Sequence, residues 1–368
     1  MNRTPRLLRR AFDLAVRRRL DFTYDHIRFP RTDLRASQRM NFLLAWWELR
    51  RRVAKPRSYP MALQLEPTTQ CQLSCPLCPR TSAAPGQEQG YMPWPHYQRL
   101  MDEVGPSLLT MAFWQWGEPL LHPCITPMIR RAHDFGILTL LSTNGQVRAG
   151  EFDLAGLVAS GLDMLIVSMD GTTRQRYETF RKGGSIERVM QFTKAVTETK
   201  RRLKSLTPLV NVRAIATSGN EQEIESVRAF ARGAGADAFS IKSVSLYYDA
   251  DPSNPSLPKE LKHRSYQYQG EREASEYAAA PNLCIKPWTW PTLRHDGTLL
   301  LCECDHAMRY PLGNVFSAPS FRSVWQGPRS QELRRRFPAS GRIDLDFCLR
   351  CRYKRDDAIR EIDFFPRG

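Results

Sequence analysis

Gln64-Leu65-Glu66-Pro67-Thr68-Thr69-Gln70-Cys71-Gln72-Leu73-Ser74-Cys75-Pro76-Leu77-Cys78 is the stretch that decides the fold and the chemistry of this chain. A short apolar strand runs out at Glu66-Pro67 and delivers three cysteines, spaced C-x3-C-x2-C, to a single loop. The strand is the first of six, at about 62–67, 109–116, 137–142, 164–169, 209–216 and 238–244, with amphipathic helices between them such as 185–204 and 221–234. Apolar strands alternating with helices predict βα units around a parallel sheet. Six units predict an α/β fold, a partial (β/α)6 TIM-like barrel, over 61–248. In barrel enzymes the C-terminal strand ends carry the chemistry, and the cysteine loop lies at such an end. Thiolates are the usual ligands of iron–sulfur clusters, and a cubane held by three of them keeps one iron open to an outside ligand. Structural zinc takes four protein ligands, and no fourth Cys or His lies nearby.

Three later strand ends carry polar turns. Strand two ends in Trp116-Gly117-Glu118-Pro119, strand three in Ser142-Thr143-Asn144-Gly145, and strand four in Ser168-Met169-Asp170-Gly171, with Arg181 thirteen residues after Ser168. Each alone reads as an ordinary turn. In this order, together with Cys71, Cys75 and Cys78, they resemble the radical S-adenosylmethionine superfamily over roughly 61–355. The resemblance implies a [4Fe–4S] cluster on those three cysteines, with S-adenosylmethionine chelating its open iron and yielding a 5′-deoxyadenosyl radical. It implies further that Gly117, Glu118 and Pro119 contact the cofactor's amino group, although Trp116 stands where the family has its first glycine. Ser142, Thr143, Asn144, Ser168 and Asp170 are then expected to line the ribose and methionine groups, and Arg181 to pair with the carboxylate. An electron donor such as flavodoxin or ferredoxin is implied as well.

A second cysteine group follows: Cys284, then Gly297, Cys302 and Cys348-x-x-Cys351. Four thiols suit a fully ligated cluster, while a structural zinc site fits the same spacing. With Cys284-Ile285-Lys286-Pro287-Trp288, His295-Asp296-Gly297, Leu312-Gly313-Asn314-Val315 and Val324-Trp325, the segment resembles the SPASM extension of radical enzymes. No cysteine follows Cys351, so the resemblance is to the shorter Twitch form with one auxiliary [4Fe–4S] cluster. Cys124 and Cys304 fit neither set. Both read as small buried residues, or, for Cys304 above all, as a hydrogen-atom donor to a substrate radical.

The net charge of +16 is uneven: residues 1–60 hold 16 Arg or Lys against 5 Asp or Glu. In 6–20, Leu8, Phe12 and Ala15 follow helical spacing with arginines opposite, and in 37–53 Met40, Leu43, Leu44 and Trp47 form a stripe ending in Arg50-Arg51-Arg52. Residues 1–60 are therefore expected to form a basic amphipathic helical extension. Its chemistry suits an anionic membrane surface or phosphates. Residues 249–281, rich in Pro, Ser, Tyr and charge, read as a linker or loop, and 282–368 as the small auxiliary-cluster domain. Nine clustered cysteines argue for metal ligation in a reducing compartment, not for disulfides. Arg9-Arg10 looks superficially like an export signal, but Asp13 and Arg17-Arg18-Arg19 interrupt its apolar core, so a cytoplasmic protein is expected, peripheral at most on the inner membrane face.

Family members of this kind dehydrogenate cyclitols and aminoglycosides, epimerise sugars, or modify ribosomal peptides. One auxiliary cluster offers an acceptor for a second electron, so dehydrogenation of a sugar, cyclitol or glycolipid alcohol is the leading expectation. Epimerisation and peptide modification are the alternatives. Arg213 and Lys242 on strands five and six, with Asp249 on the next loop, are candidates for the base beside the radical carbon. A zinc-stapled nucleic-acid-binding protein is the non-enzymatic alternative; the arm carries no recognisable reader motif.

Overall fold

The computed structural model describes residues 19–82, 89–148, 150–246, 253–265, 284–337, 345–349, 351 and 359–366. Two N-terminal strands, β1 (Leu20–Tyr24) and β2 (Ile27–Arg31), form a hairpin. Then come β3 (Ala62–Leu65), β4 (Thr110–Phe113), β5 (Leu138–Thr143), β6 (Met164–Ser168), β7 (Leu209–Ala216) and β8 (Ala238–Ser243), parallel and adjacent in chain order. These are the six strands of the expected partial barrel. Helices Trp94–Val104, Ile125–Asp134, Ile186–Arg202 and Ile224–Gly233 fall between them.

Period-two alternation sorts the strand residues into two cores. Met111, Phe113, Leu141, Leu165 and Val167 join the large core under the helices, whereas Ala112, Leu138, Leu140, Met164 and Ile166 face the concave side. An open barrel leaves that concave side in need of a cover. The hairpin supplies it: Ile27 is buried in this second cluster, and Phe22, Tyr24 and Phe29 pack on it. This corrects the wholly helical reading of 1–60. Leu20, Phe22 and Tyr24 against Ile27 and Phe29 alternate with polar residues, and the two-residue turn Asp25-His26 has positive φ at both positions, 49° and 64°. Such a turn matches the right-handed twist of the strands. The expected helix at 6–20 lies almost wholly outside the described residues; the second forms at Ala36–Arg50.

The C-terminal region shares the barrel's sheet. β9 (Thr292–Leu293) pairs in parallel with β3, β10 (Thr298–Leu300) and β11 (Pro311–Asn314) extend the edge antiparallel, and β12 (Ile359–Phe364) returns to pair antiparallel with β8. Buried Trp288 and Trp325 donate their indole N–H groups to the carbonyls of Val53 (2.8 Å) and Ser58 (2.9 Å), and Arg334 lies over the Trp325 ring. Residues 53–58 thus fasten the C-terminal region to the barrel. Of 249–281, residues 253–265 are described; Leu257 packs against Val244 at the end of β8.

Candidate active site

The loop after β3 is fixed by Arg80. Its guanidinium donates to the carbonyls of Thr69 (2.9 Å), Leu73 (3.0 Å) and Cys71 (3.1 Å), three acceptors that a strand-to-loop transition leaves without ladder partners. Ser74 N–H donates to Lys182 O at 2.9 Å, tying the same loop to the segment after β6. Arg80 was not singled out in the sequence, because its role depends on a fold-back that spacing does not reveal.

Cys71, Cys75 and Cys78 share a cavity of about 760 Å³ at the C-terminal strand ends with Gly117, Glu118, Ser142, Thr143, Asn144, Ser168, Arg181, Arg213, Lys242 and Cys304. Asn144 donates to the Cys71 sulfur at 3.6 Å. Burial pushes Cys71 up to about 11 and raises Cys78 as well. Ligation by a cationic metal cluster deprotonates such thiols outright.

Gly117 allows the β3 and β4 loops to touch. A Cβ there would stand 1.9 Å from Thr68 O, and the next residue's N–H donates to Gln70 O at 2.7 Å. Glu118 is fully engaged. One oxygen accepts from Thr143 Oγ1 (2.7 Å) and Leu120 N (3.1 Å), the other from Asn144 N (2.7 Å), so the carboxylate bolts the β4 end to the β5 end. Burial pushes its carboxyl up to about 7 against the pull of these donors. A folded-state value above the ordinary 4.5 contributes stability that is complete below pH 4.5 and lost as pH rises through about 7. Urea unfolding of the metal-free chain is expected to show this loss between pH 5 and 8, and Glu118→Gln to remove that part of the pH slope; an unchanged slope refutes it.

Asp170 is 1% exposed and does not reach the cavity. One carboxylate oxygen accepts from Ile215 N at 2.6 Å and the other holds Arg181. It is an anchor behind Arg181, and this revises the expectation that it touches the cofactor. Burial alone would pull the Arg181 guanidinium down, but the charge of Asp170 foremost more than offsets it, so the group stays cationic. Its Nη2 is buried with no hydrogen-bond partner. An orphan cationic donor beside three cluster-spaced thiols fits the carboxylate of a methionine moiety, and the site therefore fits the expected group.

Of the expected bases, Arg213 faces the cavity but its guanidinium donates to Asp25 at the hairpin tip and to Ser240 Oγ (3.1 Å). A guanidinium so paired is no base. Lys242 lines the cavity from β8, and Asp249 lies outside the described residues. The hairpin and the C-terminal region add wall residues that strand positions gave no reason to expect: Thr23, Tyr24, Asp25, Lys286, Trp290, Glu303 and His306, with Glu303 paired to Lys286. Trp116 packs edge-on against His306, 4.8 Å between rings, so the residue replacing the family's first glycine points at the C-terminal region.

Cys284, Cys302, Cys348 and Cys351 converge on a small pocket with Cys304 among them. Cys304 is hydrogen-bonded to both Cys302 and Cys351, and the Cys302 bond together with burial raises its pKa well above the usual thiol range. It also lines the main cavity, and is thus a fifth thiol of the auxiliary group facing the substrate side, not a residue outside it. Cys124 lines neither pocket; it sits at the N-terminus of helix Ile125–Asp134, packed on the large core.

The Radical SAM superfamily matches residues 65–213, and the SPASM iron–sulfur cluster-binding domain matches 284–352. The four auxiliary cysteines fall inside the second match, which replaces the zinc-stapled reading. A PqqA peptide cyclase of Ruegeria pomeroyi is 25% identical over 72% of this chain and 74% of its own length. Streptococcus suis SuiB bound to precursor peptide SuiA shares the fold, with TM-score 0.58 and 16% identity, covering 80% of this chain and 71% of SuiB. So does anSMEcpe with bound AdoMet, at TM-score 0.55 and 16% identity, covering 82% of this chain and 92% of the other. Among the described residues no helix is long and apolar enough to cross a membrane.

Proposed function

Because this chain belongs to the radical S-adenosylmethionine superfamily and carries a SPASM iron–sulfur domain, we propose that it carries out the oxidative modification of a peptide. The observation that carries the oxidative part is the position of Cys304, which lies in the wall of the substrate cavity and in the auxiliary thiol group at once. When bound, S-adenosylmethionine on the Cys71, Cys75 and Cys78 cluster supplies a hydrogen-abstracting radical, and the auxiliary cluster supplies an acceptor for one electron. Arg181 orients the cofactor's carboxylate, and Asp170 keeps Arg181 in place. Asn144 tunes the Cys71 sulfur by its N–H bond. Loss of a hydrogen atom and an electron leaves one proton to remove, and Glu303 and Asp25 place carboxylates in the cavity wall for it.

Peptide rather than sugar is supported by the PqqA peptide cyclase relative, which aligns over most of the chain. The engagement of Cys304 with Cys302 and Cys351 speaks against its acting as the hydrogen donor of an epimerase. Dehydrogenation of a cyclitol or sugar alcohol uses the same electron exit and is the second reading. The test is anaerobic reconstitution with dithionite and S-adenosylmethionine, offered short precursor peptides encoded beside the gene or a panel of cyclitols and aminoglycosides. Peptide-dependent 5′-deoxyadenosine, with a peptide product lighter by two hydrogen atoms, is the expected result. Turnover of a cyclitol to a ketone with every peptide untouched would overturn the peptide assignment.

A further inference from the structure

Helix Ala36–Arg50 buries polar side chains and leaves large apolar ones in water. The side chains it buries are polar: Gln38, Asn41 and Glu48, with Ala45. They are buried because each serves backbone groups of the turns beneath. Gln38 donates to Leu108 O (2.7 Å), Asn41 exchanges bonds with Tyr59 N (2.8 Å) and O (3.1 Å), and Glu48 accepts from Arg57 N (2.6 Å) and Ser58 N (3.0 Å). Three large apolar residues face outward beside Ser37 and Arg50, with Met40 66%, Trp47 51% and Trp46 38% exposed. Clustered large apolar groups left in water on a helix mark a contact surface. Arg50 lies over the Trp46 ring at 4.6 Å and Arg51 over the Trp47 ring at 5.7 Å, so the apolar face is rimmed by cations.

The same chemistry lies next to this helix in the chain. Leu20, where the described chain begins its first strand, packs in one cluster with Phe42 and Leu43 of the helix. In sequence, residues 1–18 carry six arginines, among them Arg9, Arg10, Arg17 and Arg18. The helix rests on the turns that precede β4 and β5, through Leu108, Ser107 and Phe135. That is the N-terminal end of the strands, opposite the cysteine loop.

We propose that the outward face of helix Ala36–Arg50, with Arg51 at its end, docks the enzyme on an anionic lipid bilayer. Met40, Trp46 and Trp47 enter the headgroup region while Arg50 and Arg51 meet lipid phosphates. Docking through this end turns the cavity mouth away from the bilayer, so the surface positions the enzyme without feeding lipid to the site. Charge complementarity selects an anionic bilayer, because Arg50 and Arg51 lie over the exposed rings, where lipid phosphates meet the edge of an inserted apolar face.

The test is flotation of the reconstituted full-length holoenzyme with vesicles of phosphatidylcholine alone or with phosphatidylglycerol. Comigration with the anionic vesicles only, weakened by salt, is expected. Met40→Glu with Trp47→Glu should lower the partition at least tenfold, and Arg51→Ser about fivefold, since a surface arginine contributes about 1 kcal/mol. Both variants should keep wild-type 5′-deoxyadenosine formation, which shows that they fold. Failure of the wild type to float, equal flotation of the double glutamate variant, or a wild-type dimer that this variant makes monomeric without any flotation would each overturn the proposal.

Discussion

Gly117→Ala is expected to lower 5′-deoxyadenosine formation by about a hundredfold, the scale of loss that accompanies a misplacement of about 1 Å. The added Cβ would meet three atoms that cannot swing away: Thr68 O at 1.9 Å, Thr68 C at 2.7 Å and Gln70 O at 3.0 Å. All are backbone, so relief requires the β3 and β4 loops to part, breaking the Glu118 N–H to Gln70 O bond. That shift displaces the loop bearing Cys71, Cys75 and Cys78. Overpacking of this kind costs about 1–3 kcal/mol, so the chain should still fold. Iron content per chain and S-adenosylmethionine affinity should fall with the activity, while the auxiliary signal in the reduced EPR spectrum persists. Wild-type turnover in a folded Gly117→Ala chain would show that the two loops need not touch.

Arg181→Met should act twice. Removing the cation leaves Asp170 charged and buried without its partner, a loss of about 3–5 kcal/mol. It also removes the unpartnered Nη2 donor, and S-adenosylmethionine should bind about ten- to a hundredfold more weakly, as for the loss of a charge-assisted hydrogen bond. A second variant, Asp170→Asn with Arg181→Met, separates the effects. The amide introduced at position 170 keeps an acceptor for Ile215 N–H but carries no charge, so urea unfolding should recover most of the lost stability while binding stays weak. Wild-type affinity in the double variant would remove Arg181 from the cofactor site.

Much of this site is local in the chain. Cys71, Cys75 and Cys78 lie within eight residues, and each polar turn of the site is the run-out of one apolar strand, so spacing and strand order bring them to one end of the sheet. Asp170 shows the limit. Its place in a Ser-x-Asp-Gly turn put it near the cofactor, but strand alternation and the Ile215 N–H turned it back to hold Arg181. Cys304 shows another, since its neighbours Cys302 and Cys351 meet only when a segment about fifty residues away folds back.

What the sequence by itself determined is therefore the set of contacts carried by short spacings and by periodicity: the parallel barrel, the Cys71, Cys75 and Cys78 loop, the turns at Gly117, Ser142 and Ser168, and a second thiol group for an auxiliary cluster. Only the tertiary structure decided how the open concave face is covered, because that rests on apolar surface needing a partner from anywhere in the chain. Residues 20–31 answered that need as a hairpin, carried Asp25 to Arg213, and closed the floor of the cavity. It likewise decided the outward face of helix Ala36–Arg50. Its polar side chains are drawn inward by unpaired carbonyls and N–H groups of distant turns, and its tryptophans are left facing out.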